Sequence, residues 1–436
     1  MKNSTKHSIV IGSALFAMFF GAGNLIFPPA LGRAAGDSIL HSIIGFLITG
    51  VGIPICAIIA CAKINGDFKK MADRVGPIFS VIVSMALVLI IGPLFAIPRT
   101  AATTFELGIH PLFPSIGQNT SIIVFFVIVL AFALKPSSII DNIGKVLTPA
   151  LLLMLAIIIV KGIIEPIGPI VTTSYEGGFT KALIEGYQTM DAMTGVIFSS
   201  IIISSIKAKG YKSPKDIMKI TLKSALVSLI GLSFVYTGLM YLGTQTTTLF
   251  SKSISRTSLV TSIVKLDLGS IGSVILSLCV TLACLTTAIG ILSAGSKFFA
   301  KLFKGKLSYE SIAIAIALVS GVMATKDVDS LVKLANPVLK IIYPIVIVLI
   351  VTTLLGDIVK NNKVVTITTY TVLIVSILNT INDLTANSIG FFKYVPLSSV
   401  GFGWIIPAII AFAISNNLGK SNQKEKSVIP NLNQEL

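Results

Sequence analysis

Runs of about twenty predominantly apolar residues recur along the whole chain, and nearly all charged residues fall in the short segments between them. Wound as an α-helix, a run of that length matches the ~30 Å hydrocarbon thickness of a bilayer. No water reaches the backbone there, so each run must satisfy its own N–H and C=O groups, and a helix does so within one segment. An all-α integral membrane protein is the expected fold class. Hydrophobic residues make up 54% of the chain and charged residues 12%. A soluble domain carries about a quarter charged residues, so 436 residues with so few charges would leave a water-facing surface uncovered.

Twelve candidate spans cover roughly 8–33, 38–62, 78–107, 119–134, 146–164, 187–206, 220–243, 268–300, 309–325, 334–356, 364–381 and 399–416. With an even number, both termini lie on one side. The segments on that side hold 23 Lys and Arg residues, from Lys2 to Lys426, against 9 on the other, with Arg99 and Lys340 inside spans. Basic residues accumulate in cytoplasmic loops, so both termini are expected in the cytoplasm. The same bias explains the net charge of +16. No basic helix interleaved with aromatics accompanies it, and nucleic acid is not an expected partner. The first run follows Lys2 and Lys6 but continues into further spans without a small-residue cleavage site, so it is expected as span 1. The non-apolar stretches 165–186 and 244–267 are too short for domains, and the Ser/Thr-rich 244–262 reads as an external loop, with room for a short interfacial helix. The polar tail from Asn416 is expected to be disordered, with 417–436 on the cytoplasmic side.

Two spans are interrupted. Span 1 reads ALFAMFFGAGNLIFPPALGR, with Gly21, Gly23, Asn24, Pro28 and Pro29 at mid-membrane. Glycine weakens a helix, and proline removes a donor and clashes with the preceding turn. Span 6 reads EGYQTMDAMTGVIFSSIII, where Thr189, Asp191, Thr194 and Gly195 give a second polar break. Unwound backbone at membrane depth persists only where it is buried in protein or lines a cavity. The interruptions lie five spans apart, so the spans that follow them run in opposite directions. Paired breaks in two inverted halves point to a secondary transporter with its site at the midplane. The plainer reading is two packing kinks. Asp191, the acid placed well inside a span, needs a partner, unless it lies near the outer surface as a hydrated helix cap.

Two further features have a functional and a bland reading. Span 8 carries Thr286 and Thr287 beside Ala283 in TLACLTTAIGILSAG. Their hydroxyls suit a small monovalent cation, or simply let helices pack closely. In span 3, GPLFAIPRTAATTFE, Arg99 either binds a carboxylate or pairs with an acid such as Glu106, or snorkels to the headgroups. The cysteines lie in apolar runs at non-metal spacing and the three histidines are scattered, so no metal cluster of those residues is expected. No clustered nucleophile and base is visible, and no pore motif or charged ring, which weighs against an enzyme and a channel.

FFGAGNLIFPP in span 1 and GPLFAIPRTAATTFE in span 3, with YQTMDAMTG and the span-8 threonines, closely resemble the bacterial branched-chain amino acid carriers of the leucine-isoleucine-valine:cation symporter family. The resemblance runs over nearly the whole chain. It implies uptake of leucine, isoleucine and valine coupled to Na⁺, or to H⁺ in some members, or else an H⁺-coupled carrier of other small apolar amino acids. It also implies the leucine-transporter-like 5+5 inverted repeat. One transporter domain over 1–436 would comprise a first repeat at 8–164, a second at 187–356, and two added helices at 364–416. By the same resemblance Gly21, Ala22, Gly23 and Asn24 hold the substrate backbone. Ala17, Phe20, Ala283, Thr286 and Thr287 hold Na⁺. An apolar pocket of Phe19, Phe20, Met190, Met193 and Phe95 would take the branched side chain, with Asp191 and Thr194 at the ammonium or ion. No obligatory protein partner is implied.

Overall fold

The computed structural model describes residues 2–64, 66, 68–134, 139–251, 253–359, 361–385 and 390–428, and among these it consists of helices and their connecting turns, with no strand. Seven helical stretches are long and apolar enough to cross a membrane: Ala22–Lys63, Pro77–Ile109, Asp191–Ala208, Pro214–Thr244, Arg256–Leu302, Val328–Ile358 and Asn362–Leu384. Four shorter apolar helices accompany them, at Gln118–Ala133, Leu151–Ile164, Tyr309–Met323 and Ile405–Leu418. Large side chains such as Ile78, Ile123, Ile271 and Val322 stand outward and exposed. A lipid-facing surface accommodates that arrangement and a water-facing one does not.

In chain order the helices are α1 (Lys2–Phe19), α2 (Ala22–Ala35), α3 (Ile39–Leu47), α4 (Ile53–Lys63), α5 (Phe68–Asp73), α6 (Pro77–Leu89), α7 (Ala96–Thr103), α8 (Gln118–Ala133) and α9 (Ile139–Ile164). They continue as α10 (Gly178–Gln188), α11 (Asp191–Ala208), α12 (Pro214–Thr244), α13 (Arg256–Leu302), α14 (Tyr309–Met323), α15 (Val328–Leu355), α16 (Asn362–Leu384) and α17 (Ile405–Val428). Several starts follow from local chemistry. Ser213, Ser255, Ser308 and Asn361 each accept the backbone N–H three residues on, capping α12, α13, α14 and α16. Wider π-turns at Ile48–Gly52, Ile90–Leu94 and Thr104–Ile109 interrupt the second and third spans.

Three sequence expectations need correction. The helix within 244–262 is not a short interfacial one: Ser255 caps α13 at Arg256, and the helix runs on to Leu302 with a bend at Gly269, whose φ is 66°. The stretch 165–186 already contains the first turns of α10. The tail is helical to Val428 rather than disordered from Asn416. Lys135 and Lys360, used for orientation, and the last residues 429–436 lie outside the described residues.

The chain divides into two compact units, one of residues 1–66 and 85–336, the other of 67–84 and 337–436. In the second unit α16 packs along α17. There Lys340, expected inside a span, meets Asp383 at 2.7 Å. Arg74 donates to the Asn362 side chain and the Thr352 carbonyl. In the first unit α12 lies against both α1 and α2, α11 against α4, and α13 against α2, α7 and α9. Both interrupted helices belong to this unit.

Candidate functional site

The first interruption is short. Helix α1 closes with the Phe20 N–H on the Phe16 carbonyl at 2.8 Å. Gly21 is extended, and α2 begins at Ala22. The Asn24 side-chain oxygen accepts the Gly21 N–H at 3.2 Å, holding the first turn of α2 in place. The terminal carbonyls of α1 and the first N–H groups of α2 lack helical partners, so a negative and a positive helix end face each other across two residues, Phe20 and Gly21. Pro28 and Pro29 do not cause the break. Both are buried inside α2, after it.

The second interruption is Thr189–Met190, between α10 and α11. Met190 takes a left-handed conformation, φ 63°, which costs a non-glycine residue about 1–2 kcal/mol. It is fully enclosed, so its surroundings hold the turn. The Thr189 hydroxyl bonds back to the Gly186 carbonyl and faces the Asp191 N–H. Thr194 and Gly195, expected in the break, lie within α11. The Thr194 hydroxyl bonds the Met190 carbonyl at 3.0 Å. Gly195 instead gives room to Phe19, whose ring would lie 3.3 Å from a Cβ there.

The two starts meet. The Asn24 amide donates to the Asp191 carboxylate at 2.6 Å and also to the Tyr236 hydroxyl of α12. Asn24 uses its oxygen and both N–H groups, so none of its capacity is idle. Asp191 is 3% exposed, which excludes the hydrated-cap reading. A carboxylate so enclosed requires donors and positive charge around it. The donors are Asn24 and, at a longer 3.5 Å, the Tyr236 phenol. Positive potential comes from the first turns of α2 and α11 and from Arg99 across the cavity.

Arg99 is 4% exposed. A guanidinium so enclosed does not snorkel to the headgroups. Its guanidinium donates to the Gln188 carbonyl at 2.6 Å, the last of α10, and to the Thr189 carbonyl at 3.3 Å, which caps that end. It rests against the Phe27 ring and against Gly23, where a Cβ would stand 2.9 Å from a guanidinium nitrogen. Glu106 accepts from the Thr257 hydroxyl at 2.5 Å and the Val328 N–H at 2.9 Å. Nearby, Arg256 bridges Glu185 at 3.2 Å and Asp329 at 2.7 Å.

A small cavity opens between these groups. Of the residues expected at the site, Phe19, Gly21, Ala22, Asn24, Asp191, Thr194 and Thr287 line it. Gly23 lies one position away under Arg99. Phe20, Phe95, Met190 and Met193 are buried but are not among the lining residues. On α13, the Thr287 hydroxyl is buried without a hydrogen-bond partner and Thr287 faces Gly21. The Thr286 hydroxyl is turned to the Ala283 carbonyl of its own helix at 2.9 Å. Thr287 therefore fits a cation ligand better than Thr286, while Ala17 and Phe20 flank the end of α1. Among the described residues no group of three or more His, Cys, Asp or Glu is placed to hold a metal ion.

Sequence reasoning missed Tyr236, Ala96, Thr100, Met18 and Ile291 at the site. Only Tyr236 carried a signal, a phenol within an apolar span that needs a polar partner. It also missed Asp267, a buried acid in α13 that the expected span boundary had left in the loop.

A model of the family described as branched-chain amino acid transport protein matches residues 4–421. The branched-chain amino acid permease BraB of Bacillus subtilis (strain 168) is 36% identical over 441 residues, covering 97% of this chain and 99% of the permease. The branched-chain amino acid permease BrnQ of the same strain is 36% identical over 423 residues, covering 94% and 96%. Among solved structures, the inward-facing conformation of Mhp1 superposes with a TM-score of 0.63 at 15% identity, over 95% of this chain and 91% of that one. A Na⁺-coupled sialic acid symporter in a substrate-bound outward-open state superposes with a TM-score of 0.60 at 15% identity, over 94% and 89%. At these identities the likeness is one of fold.

Proposed function

The chain belongs to the family of branched-chain amino acid transport proteins, and on that premise we propose that it is a secondary active symporter taking up leucine, isoleucine and valine with Na⁺. It is a transporter, not an enzyme. Its twelve spans, in a 5+5 inverted repeat with both termini in the cytoplasm of a bacterial cell, alternate access to one central site. The observation that carries this reading is the meeting of two interrupted helices at Asn24 and Asp191, buried and beside a cavity.

The chemistry of a zwitterion fits that meeting. Its carboxylate is received by the free N–H groups at the start of α2, Ala22 to Asn24, with the positive helix end behind them. Its ammonium is received by acceptors at the same level. Its branched side chain lies among apolar groups such as Phe19 and Ile291. Na⁺ is received by the terminal carbonyls of α1 and the Thr287 hydroxyl, so that it ties α1 to α13. By binding one conformation better than the other, the ion shifts the equilibrium between them.

A second reading, coupling to H⁺, draws on one observation: Asp191 is a buried carboxylate at the site, and a carboxylate there can carry the proton instead. Counterflow of labelled leucine in proteoliposomes, with Na⁺ and pH gradients imposed separately, tests both. Accumulation driven by the Na⁺ gradient alone supports the first. Accumulation driven only by the pH gradient supports the second. Absence of saturable leucine flux under either gradient rejects both.

A further inference from the structure

In a break of this kind two helix ends offer carbonyl acceptors, the end of α1 and the end of α10. The second set is taken. Arg99 reaches from α7 and places its guanidinium on the Gln188 and Thr189 carbonyls. It is seated there from three sides. Phe27 lies against it, with the guanidinium carbon 5.4 Å from the ring centre. Gly23 provides the space, since any side chain there would strike it. The Gln188 side chain, bonded to Asn336 at 3.1 Å, fixes the peptide that carries one of its acceptors. Arg99 and Asp191 line the same cavity.

We propose that Arg99 is a positioning residue that fixes which way round the amino acid sits: it fills the α10 carbonyls that would otherwise receive the substrate ammonium, and so leaves Asp191 as the anionic acceptor for that group. The inference rests on the symporter reading above and deepens it. A fixed cation at the end of α10 repels an ammonium from that end and attracts a carboxylate. Asp191, on the far side of the break and already holding one Asn24 N–H, is the carboxylate that an ammonium meets. The pair also balances its own charge, so that neither group is enclosed uncompensated. Removing Asp191 alone then leaves a buried cation facing the substrate ammonium. Removing both charges restores neutrality and also frees the α10 carbonyls.

The test compares leucine with 2-hydroxy-4-methylpentanoate, which keeps the carboxylate and side chain and replaces the ammonium with a hydroxyl. Equilibrium binding of each is measured on purified protein in nanodiscs at saturating Na⁺. Wild type should prefer leucine. Asp191→Asn should reduce that preference at least about tenfold, and Asp191→Asn combined with Arg99→Gln should recover about tenfold of it, each factor of ten corresponding to about 1.4 kcal/mol. Arg99→Lys, which keeps the charge, should retain the wild-type preference. A merely structural Arg99 predicts that the losses add, so a double variant no better than Asp191→Asn overturns the proposal. Wild-type preference in Asp191→Asn alone also overturns it, whether or not the Arg99→Gln variants fold. If wild-type protein binds no leucine, the symporter reading is what fails.

Discussion

Asn24 and Asp191, 167 residues apart in sequence, share a 2.6 Å hydrogen bond that joins the first turn of α2 to the first turn of α11. Two positive helix ends converge there on one carboxylate, and the neutral amide between them contributes donors without adding charge.

Replacing Asp191 with Asn tests what the carboxylate does. The asparagine oxygen can still accept the Asn24 amide, so the variant should insert, but Arg99 loses its buried countercharge and the melting temperature should fall. Uptake should be lost, or its dependence on Na⁺ or pH should change. Unaltered kinetics and ion dependence in proteoliposomes would strike Asp191 from the site.

Asn24→Asp probes the other partner. Its oxygen still accepts the Gly21 N–H, but both donated bonds disappear and a second carboxylate faces Asp191 at hydrogen-bonding distance. Losing a hydrogen bond to a charged group is worth about 1.5–3 kcal/mol before repulsion is counted. Leucine affinity should fall by more than about tenfold, measured as the concentration for half-maximal uptake. A variant that binds leucine as wild type does would contradict the arrangement.

The two threonines of α13 should not be equivalent. Thr287→Val removes a buried hydroxyl that has no other partner and should raise the Na⁺ concentration needed for half-maximal uptake. Thr286→Ala removes a hydroxyl already engaged by Ala283 and should change it less. Equal Na⁺ dependence in Thr287→Val and wild type would remove the hydroxyl from the ion site.

Substrate selection should follow from the apolar part of the small cavity, around Met18, Phe19, Ala96 and Ile291, where one methylene is worth about 1–3 kcal/mol. Leucine, isoleucine and valine should inhibit one another's uptake, while lysine, glutamate and glycine inhibit weakly. Strong inhibition by lysine would contradict an apolar environment for the side chain.

Packing gives a prediction independent of transport. A Cβ at Gly32 would stand 1.8 Å from the Met240 carbonyl, whereas one at Gly117 meets nothing within 4 Å. Gly32→Ala should destabilise by about 1–3 kcal/mol or more, and Gly117→Ala should not. Thermal melting of the purified protein separates them.

The membrane class and both interruptions were legible because glycine, proline and an isolated acid within apolar runs have few physical explanations. The exact place of each break was not. Pro28 and Pro29 are strong breakers in water, yet α2 absorbs them because the surrounding helices hold it. Met190 gives no sign of a left-handed turn, since tertiary enclosure imposes that conformation on a residue that disfavours it. The motif brought Gly21, Asn24 and Asp191 to the site, but Tyr236, Ala96 and Ile291 arrive from other helices, and nothing in a linear pattern pairs them with the break.

The course of α12 beside the first interruption changes what that interruption is. A Cβ at Gly12 of α1 would strike Ser224 and Val227, one at Gly32 of α2 would strike Met240, and one at Gly243 of α12 would strike the Pro29 carbonyl. The two halves are thus seated on one continuous helix, below and above the gap, like a fractured rod bound to a splint. Such a gap is braced: bending α1 against α2 there would pull one of them off α12, so on the symporter reading the notch at Gly21 is expected to keep its shape while other elements move around it.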